Sequence, residues 1–415
     1  MTTVHIVGAG LAGLASAVRL TERGVRVALY EGAGHAGGRC RSFHDDALGC
    51  LVDNGNHLLL SGNRSAMSFL RAIGSEDSLI GPVEPEFAFV DLATDERWTV
   101  RPNRGRIPWW IFAASRRVPM TRARDYLGAL RLGCVRADAT IAACFEPRSA
   151  AFKRFWEPLA VAVLNAGAEE AAASLLWPVM VEIFGRGGDA ARPLIAKDGL
   201  SQSFVEPALR FLERAGATIR FNQRLRAIDR DGERLTTLDF GRTRIPLAAS
   251  DRVILAVPPP AAHDLLPDLA VPTEFRAIVN AHYRLPHAVA PASPFIGLVN
   301  ATAHWLFVRG TIVSVTVSAA DSLVDEPAGA IAARLWADVA RTLRLPRDPM
   351  PPYRIVKEKR ATFAQIPATL ARRAKPQTRW RNLVLAGDWT DTGLPATIEG
   401  AIRSGQRAAE LTASP

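Results

Sequence analysis

VHIVGAGLAGLASAVRLTERGVRVALYEGAGHAGGR, residues 4–39, is the stretch that decides the fold. An apolar strand containing Val4, Ile6 and Val7 runs into Gly8-Ala9-Gly10-Leu11-Ala12-Gly13, which opens a helix through Arg23; a second strand, Val25–Tyr30, ends in Glu31. Each part answers to a physical need of a βαβ dinucleotide site. Gly8 makes the tight turn, Gly10 lets a pyrophosphate approach the backbone, and Gly13 lets helix and strand touch. The helix start offers free N–H groups and the positive end of its dipole to the phosphates. Glu31 stands eighteen residues past Gly13, where it can accept hydrogen bonds from an adenosine ribose. A lone GxGxxG also arises from helix–strand packing, but here strand, helix, second strand and terminal acid are all in register.

Gly34, Gly37, Gly38 and Arg39 follow at once, a second flexible loop whose cation can reach the same pyrophosphate. At the far end of the chain the apolar strand Asn382–Ala386 leads to Gly387-Asp388, which puts a carboxylate at the carboxyl edge of a sheet, where open α/β sheets bind ligands. Thr397-Ile398-Glu399-Gly400 then starts a helix whose free N–H groups can face an electron-rich ring. Between the two ends, CLVDNGNHLLL (Cys50–Leu60) interrupts an apolar run with Asp53, Asn54, Gly55, Asn56 and His57. It reads either as a polar loop between strands or as a place where Gly55 admits a flat ligand.

Length and composition bound the rest. A chain of 415 residues with 48% hydrophobic and 22% charged residues is a folded protein of two domains rather than one. The net charge of +10 is spread along the sequence and suits an anionic surface. No nucleic-acid module is recognisable, so a membrane surface is the expected partner of that charge. Cys40, Cys50, Cys134 and Cys144 form no CxxC pair and predict neither a zinc site nor a disulfide framework. No leader pattern opens the sequence, and the uncharged stretch 285–308 carries too many prolines for a bilayer span. A cytoplasmic protein is expected, at the inner face of the cytoplasmic membrane if it meets lipid.

Residues 64–80 read as a helix, 86–90 and 98–100 as strands, and 121–184 as helices with large apolar faces punctuated by Pro158 and Pro178. IPWWIFAASRRVPM, residues 107–120, is read either as a buried helix or as a monotopic element with aromatics at headgroup level and arginines on lipid phosphates. Further on come a helix at 201–215, a hairpin turning at Asp231-Gly232, a buried strand from Arg252, an alternating strand at 311–318, a helix at 328–343 and a strand at 353–359.

The run E-x₅-GGR after the first βαβ unit resembles the flavoprotein family of amine oxidases and phytoene desaturases. That resemblance implies FAD rather than NAD, and a D-x-G segment (here 53–55) passing beside the flavin ring. It also implies that the backbone of Leu225 lies near the adenine and that Asp388 meets the ribityl chain. DNGNHLLL, PLAVAVLNAGAEEAAA and GDWTDTGLPATIEGAIRSG together resemble the squalene-associated branch, the hydroxysqualene dehydroxylases, over nearly the whole chain. Asn56 departs from the expected Gln, and Leu394 from the common aromatic.

The implied fold is α/β, a Rossmann-like FAD-binding domain (1–75, 190–260 and 376–415) interleaved with a mixed α+β substrate domain (76–189 and 261–375). The implied cofactor is noncovalent FAD, held by Gly8, Gly10, Gly13, Glu31, Gly37, Gly38, Arg39, Gly55, Asn56, Leu225, Gly387, Asp388, Thr397 and Ile398. The implied reaction is reductive dehydroxylation of hydroxysqualene to squalene in hopanoid and squalene synthesis, with a C30 isoprenoid in a dry cavity and a separate electron donor. His57, Asp53 and Asp391 are the candidates to protonate the leaving oxygen, and no metal is expected. A phytoene-type desaturase, an amine oxidase and a flavin-free prenyl-binding protein are the alternatives.

Overall fold

In the computed structural model, which describes residues 2–413, five short strands form a parallel sheet in the order Thr218–Arg220, Arg26–Tyr30, Thr3–Val7, Arg252–Leu255, Leu383–Leu385. Met1 and residues 414–415, which the sequence reading assigns to the cofactor domain, lie outside the described residues. The chain leaves Thr3–Val7 through helix Leu11–Thr21 to the strand on one side, while Arg252–Leu255 lies on the other. The order therefore reverses beside the first strand, and a crevice opens at the carboxyl ends there. Strands buried on both faces explain why VHIV, RVALY and RVIL are nearly continuous apolar runs.

Helix Ile398–Ala413 packs along Leu11–Thr21 and completes the layer. Their contact is close because residue 405 is glycine: a Cβ there would stand 2.1 Å from the Ala12 carbonyl oxygen. Ser16 Oγ donates across the same contact to the Gly405 carbonyl at 2.9 Å.

A second sheet has seven strands in the order Tyr353–Phe363, Phe275–Arg284, Ile312–Val317, Trp305–Arg309, Phe295–Val299, Phe87–Asp91, Arg97–Val100. All its pairings are antiparallel except Phe295–Val299 with Phe87–Asp91. Helix Ala328–Leu343 covers one face through Ile331, Leu335, Trp336 and Val339. Tyr283, fully buried, donates its hydroxyl to the Ala332 carbonyl at 2.7 Å.

Two expectations are corrected. The helix at 64–80 stops at Ala72 because Gly74 turns the chain with φ of +68°. The region 121–184 is not a set of long helices but short α segments with 3₁₀ and π turns between them, the longest being Ala173–Ile183. Its large apolar groups meet one another, as in the nest of Trp110, Tyr126, Phe155 and Trp156. The uncharged stretch 285–308 holds two strands of the larger sheet, buried on both faces, which accounts for its apolarity without any membrane. No helix among the described residues is long and apolar enough to cross a bilayer.

Candidate active site

At the crevice, Gly8 adopts φ of +105°, and a Cβ there would stand 2.4 Å from the Ala256 carbonyl oxygen. Only glycine tolerates both. A Cβ on Gly13 would lie 1.8 Å from the Gly8 oxygen, so this glycine sets how closely helix and strand approach. Gly10 differs: nothing lies within 4 Å of where its Cβ would be, and no side chain caps the helix it begins. An open, uncapped helix start with no acid in its first turn is what an anionic group fits.

Glu31 accepts the Ala9 N–H at 2.7 Å and the Ala33 N–H at 2.9 Å, one on each oxygen, and keeps lone pairs for a ribose. Leu225 is buried, and its backbone N–H and carbonyl take part in no hydrogen bond among the described residues. Unpaired backbone polar groups in a buried loop are uncommon, and this pair suits the edge of an adenine. Gly37 forms a bridge to Gly10, bringing the GGR loop onto the helix start, while Gly38 packs on the Gly10 Cα.

Arg39 and Asp388, read from opposite ends of the sequence, meet directly. The guanidinium Nη2 lies 2.8 Å from both carboxylate oxygens, and Nη1 donates to the Ala361 carbonyl. The sequence reading placed each separately against the dinucleotide; the structure joins them, with the Arg39 side chain still nearly half exposed at the crevice. Pairing with Asp388 pushes the Arg39 pKa further up.

Arg373, which sequence reasoning did not single out, organises the loop after Asp388. Buried, it donates to the carbonyls of Leu394 (2.9 Å), Asp388 (3.1 Å), Trp389 (3.4 Å) and Thr390, and to Thr392 Oγ1 (3.2 Å). Burial lowers its pKa against the raising influence of Asp391 and Asp388. Its sequence signal was nil, since Arg372-Arg373 reads as a surface pair. Trp389 is also buried and donates to the Val257 carbonyl at 3.0 Å, so its ring is not free to form an aromatic cage for an amine.

Thr397 Oγ1 accepts the Gly400 N–H at 3.1 Å and so caps helix Ile398–Ala413. The N–H groups of Ile398 and Glu399, ahead of Gly400, are left for a ring to meet. Glu399 turns the other way: its two oxygens accept the Ser65 and Ala66 N–H groups at 3.0 and 2.9 Å, capping helix Arg64–Ala72, and Arg403 pairs with it at 2.8 Å.

Asp53, Asn56 and His57 border a narrow cleft of about 20 Å³ whose other walls are Ile195, Ala196, Leu200, Phe307 and Arg309. Asp53 is buried and fully engaged: Arg309 at 2.8 Å, Ser42 Oγ at 2.6 Å, Leu200 N–H at 2.9 Å. A carboxylate held by a guanidinium and two donors is fixed in place as an anchor. Asp391 is exposed, its N–H donating to the Ala374 carbonyl at 2.9 Å, and it does not line this cleft.

His57 makes no hydrogen bond among the described residues. Burial lowers its pKa to about 4, with Asp53 opposing and Arg39 reinforcing the fall. The imidazole is therefore neutral at pH 7. Behind it stands a polar network that sequence reasoning missed: Asn56 Nδ2 donates to Thr316 Oγ1 at 3.1 Å, and Thr316 Oγ1 donates to Asn280 Oδ1 at 2.7 Å. Asn280 Nδ2 would stand 3.4 Å from a Cβ on Gly55. Strand alternation supplies the network, since Asn280 and His282 share one face of their strand, as do Ser314 and Thr316.

An open parallel sheet with a glycine turn at its reversal point and an acid at the end of the neighbouring strand defines a dinucleotide-binding oxidoreductase. The model of the flavin containing amine oxidoreductases matches residues 11–412, and the chain belongs to that family. A hydroxysqualene dehydroxylase of Sinorhizobium fredii is 46% identical over 99% of this chain and 98% of its own length. One of Rhodopseudomonas palustris is also 46% identical with the same coverage. The fold matches a cyclohexylamine oxidase of Brevibacterium oxydans with a TM-score of 0.72, at 16% identity over 99% of this chain and 98% of that one.

The cofactor is FAD. The site fits it on three features of this structure: the space at Gly10, the unpaired backbone of Leu225 and the lone pairs left on Glu31.

Proposed function

We propose that this chain converts hydroxysqualene to squalene: a hydride equivalent replaces the hydroxyl at carbon, and the departing hydroxide takes up one proton from solvent and leaves as water. The observation that carries the reading is the likeness, at 46% identity over nearly the whole of both chains, to proteins of that name. The residues that would hold FAD are Gly8, Gly10, Gly13, Glu31, Gly37, Gly38, Arg39, Gly55, Asn56, Leu225, Gly387, Asp388, Thr397 and Ile398. When bound and reduced, FAD supplies the hydride equivalent.

The chain's own residues do the rest. Ile195, Leu200 and Phe307 keep water from the reacting carbon. His57, neutral and unpaired, offers the leaving oxygen a hydrogen bond, and Arg309 supplies fixed positive charge as that oxygen gains electrons. Asp53 holds Arg309 in place and is not a proton donor in this reading; Asp391 is too far out on the surface to be one. The Asn56–Thr316–Asn280 network fixes the loop that carries His57.

The segment 107–120 would rest on a membrane surface, where a water-insoluble C30 alcohol is stored, and reducing equivalents would come from a separate donor. Hydroxysqualene incubated with catalytic protein, FAD and excess chemical reductant should give squalene by mass spectrometry. Hydrocarbon no higher than in a protein-free control would overturn the reading.

A further inference from the structure

Residues 107–120, whose sequence suits either a buried helix or a lipid contact, divide between the two residue by residue. Trp109–Phe112 is a single 3₁₀ turn. With three residues per turn, Trp109 and Phe112 project on one side and Trp110 and Ile111 on the other. The inner pair is buried on Tyr126 and Phe155, while Phe112 is 70% exposed and Trp109 half exposed. Around them stand Ile107 (77% exposed), Met120 (83%), Leu127 and Leu130 (64%). Six large apolar side chains exposed within 24 residues exceed the scattering that ordinary surfaces show.

The polar residues among them have one sign. From 104 to 131 there are seven arginines and a single acid, Asp125. Asp125 accepts the Arg122 N–H at 2.7 Å and is thereby occupied. Arg104 is neutralised by Glu84, and Arg117 turns inward to the carbonyls of Ile111 and Thr121. Arg116 lies 4.9 Å over the Trp109 ring. Arg106, Arg122 and Arg131 are exposed and have no ion-pair partner among the described residues. Next to Leu127 a cavity of about 400 Å³, walled by Gly128, Phe145 and Trp156 and bordered by Arg124, Arg131, Asp125 and Glu146, continues inward from this face.

We propose that residues 104–131 dock this protein onto an anionic lipid bilayer, with Ile107, Trp109, Phe112, Met120, Leu127 and Leu130 inserted among acyl chains and Arg106, Arg122 and Arg131 on lipid phosphates. This deepens the proposed function, since it names the lipid that the face selects, and it rests on that reading only for its purpose. The unpaired cations decide against a second copy of this chain as the occupant, because two such faces would bring like charges together. They decide against a neutral membrane too, because apolar anchoring alone would need no ring of free arginines.

The test is flotation of the holoprotein with vesicles of phosphatidylglycerol mixed with phosphatidylcholine, against phosphatidylcholine alone. Binding to the mixed vesicles is expected, weakening as salt is raised. Combined Arg106→Glu, Arg122→Glu and Arg131→Glu should lower that affinity by about tenfold or more. Phe112→Ser with Leu130→Ser should abolish residual binding at high salt. Both variants should keep the flavin absorbance of the parent and its turnover of detergent-solubilised hydroxysqualene. Equal binding to neutral vesicles, no binding to either, or variants that bind like the parent would overturn the proposal. So would a dimer that Phe112→Ser dissociates. If none of the proteins converts the detergent-solubilised alcohol, the substrate reading fails while the vesicle result stands.

Discussion

Gly10 and Gly13 sit in one motif, yet the structure gives them different duties, and substituting each by alanine separates those duties. A Cβ at position 13 would be 1.8 Å from the Gly8 carbonyl oxygen, far inside contact distance, with backbone rather than a flexible side chain in the way. Helix Leu11–Thr21 must then move off its strand, an overpacking change of about 1–3 kcal/mol. At position 10 the space is open and the backbone, at φ of −71° and ψ of 177°, suits any L residue. Gly10→Ala should therefore leave the flavin-free protein as stable as the parent, or more stable by about 0.4–1 kcal/mol through loss of unfolded-state entropy. Its methyl stands in the space assigned to a pyrophosphate, so FAD affinity should fall about tenfold or more, at least about 1.4 kcal/mol. Urea unfolding of the stripped proteins measures the first effect and fluorescence titration with FAD the second. The reasoning is refuted if Gly10→Ala binds FAD as tightly as the parent, or if it destabilises the stripped protein as much as Gly13→Ala does.

Arg309→Met should destabilise by about 3–5 kcal/mol, seen as a lower urea midpoint, because Asp53 is left buried with an uncompensated charge. Arg373→Met should cost about 2–3 kcal/mol by orphaning buried carbonyls of residues 388–394 and should weaken FAD binding, since Asp388 lies in that loop. Stability should fall as pH drops from about 6.5 toward 4. Burial holds His57, His282 and His304 each at a pKa of about 4, below the ordinary value, so the unfolded chain takes up those protons first. Their contribution is complete above the unfolded pKa and is lost as pH falls, by up to about 1.4 kcal/mol per pH unit for each group, and unfolding midpoints across that range measure it.

The parts of the site that were legible in sequence are those where one local segment carries the whole physical requirement. GxGxxG with Glu31, the GGR loop, and Gly387-Asp388 at a strand end each state their geometry within a few residues, and all three converge on one crevice. What escaped notice is made of residues distant in sequence. Arg309 reaches Asp53, Arg373 reaches the 388–394 loop, and Thr316 reaches Asn56 across 260 positions. None has a local pattern that differs from an ordinary strand or surface residue. The helical reading of 121–184 failed for a related reason: apolar periodicity there records packing among short turns, and Pro178 sits inside a helix that tertiary contacts sustain. The strand Phe275–Arg284 was passed over because its buried face carries Asn280 and His282, polar residues that look like a loop until their partners are known.

The central claim is that one crevice joins FAD to the alcohol carbon of hydroxysqualene. It is tested most directly by reducing the holoprotein without oxygen, adding hydroxysqualene, and following the visible flavin spectrum and the hydrocarbon product together. The expected result is return of the oxidised flavin spectrum with about one squalene formed per flavin, the stoichiometry of a single hydride. A flavin that stays reduced, or one that reoxidises without squalene, would contradict it.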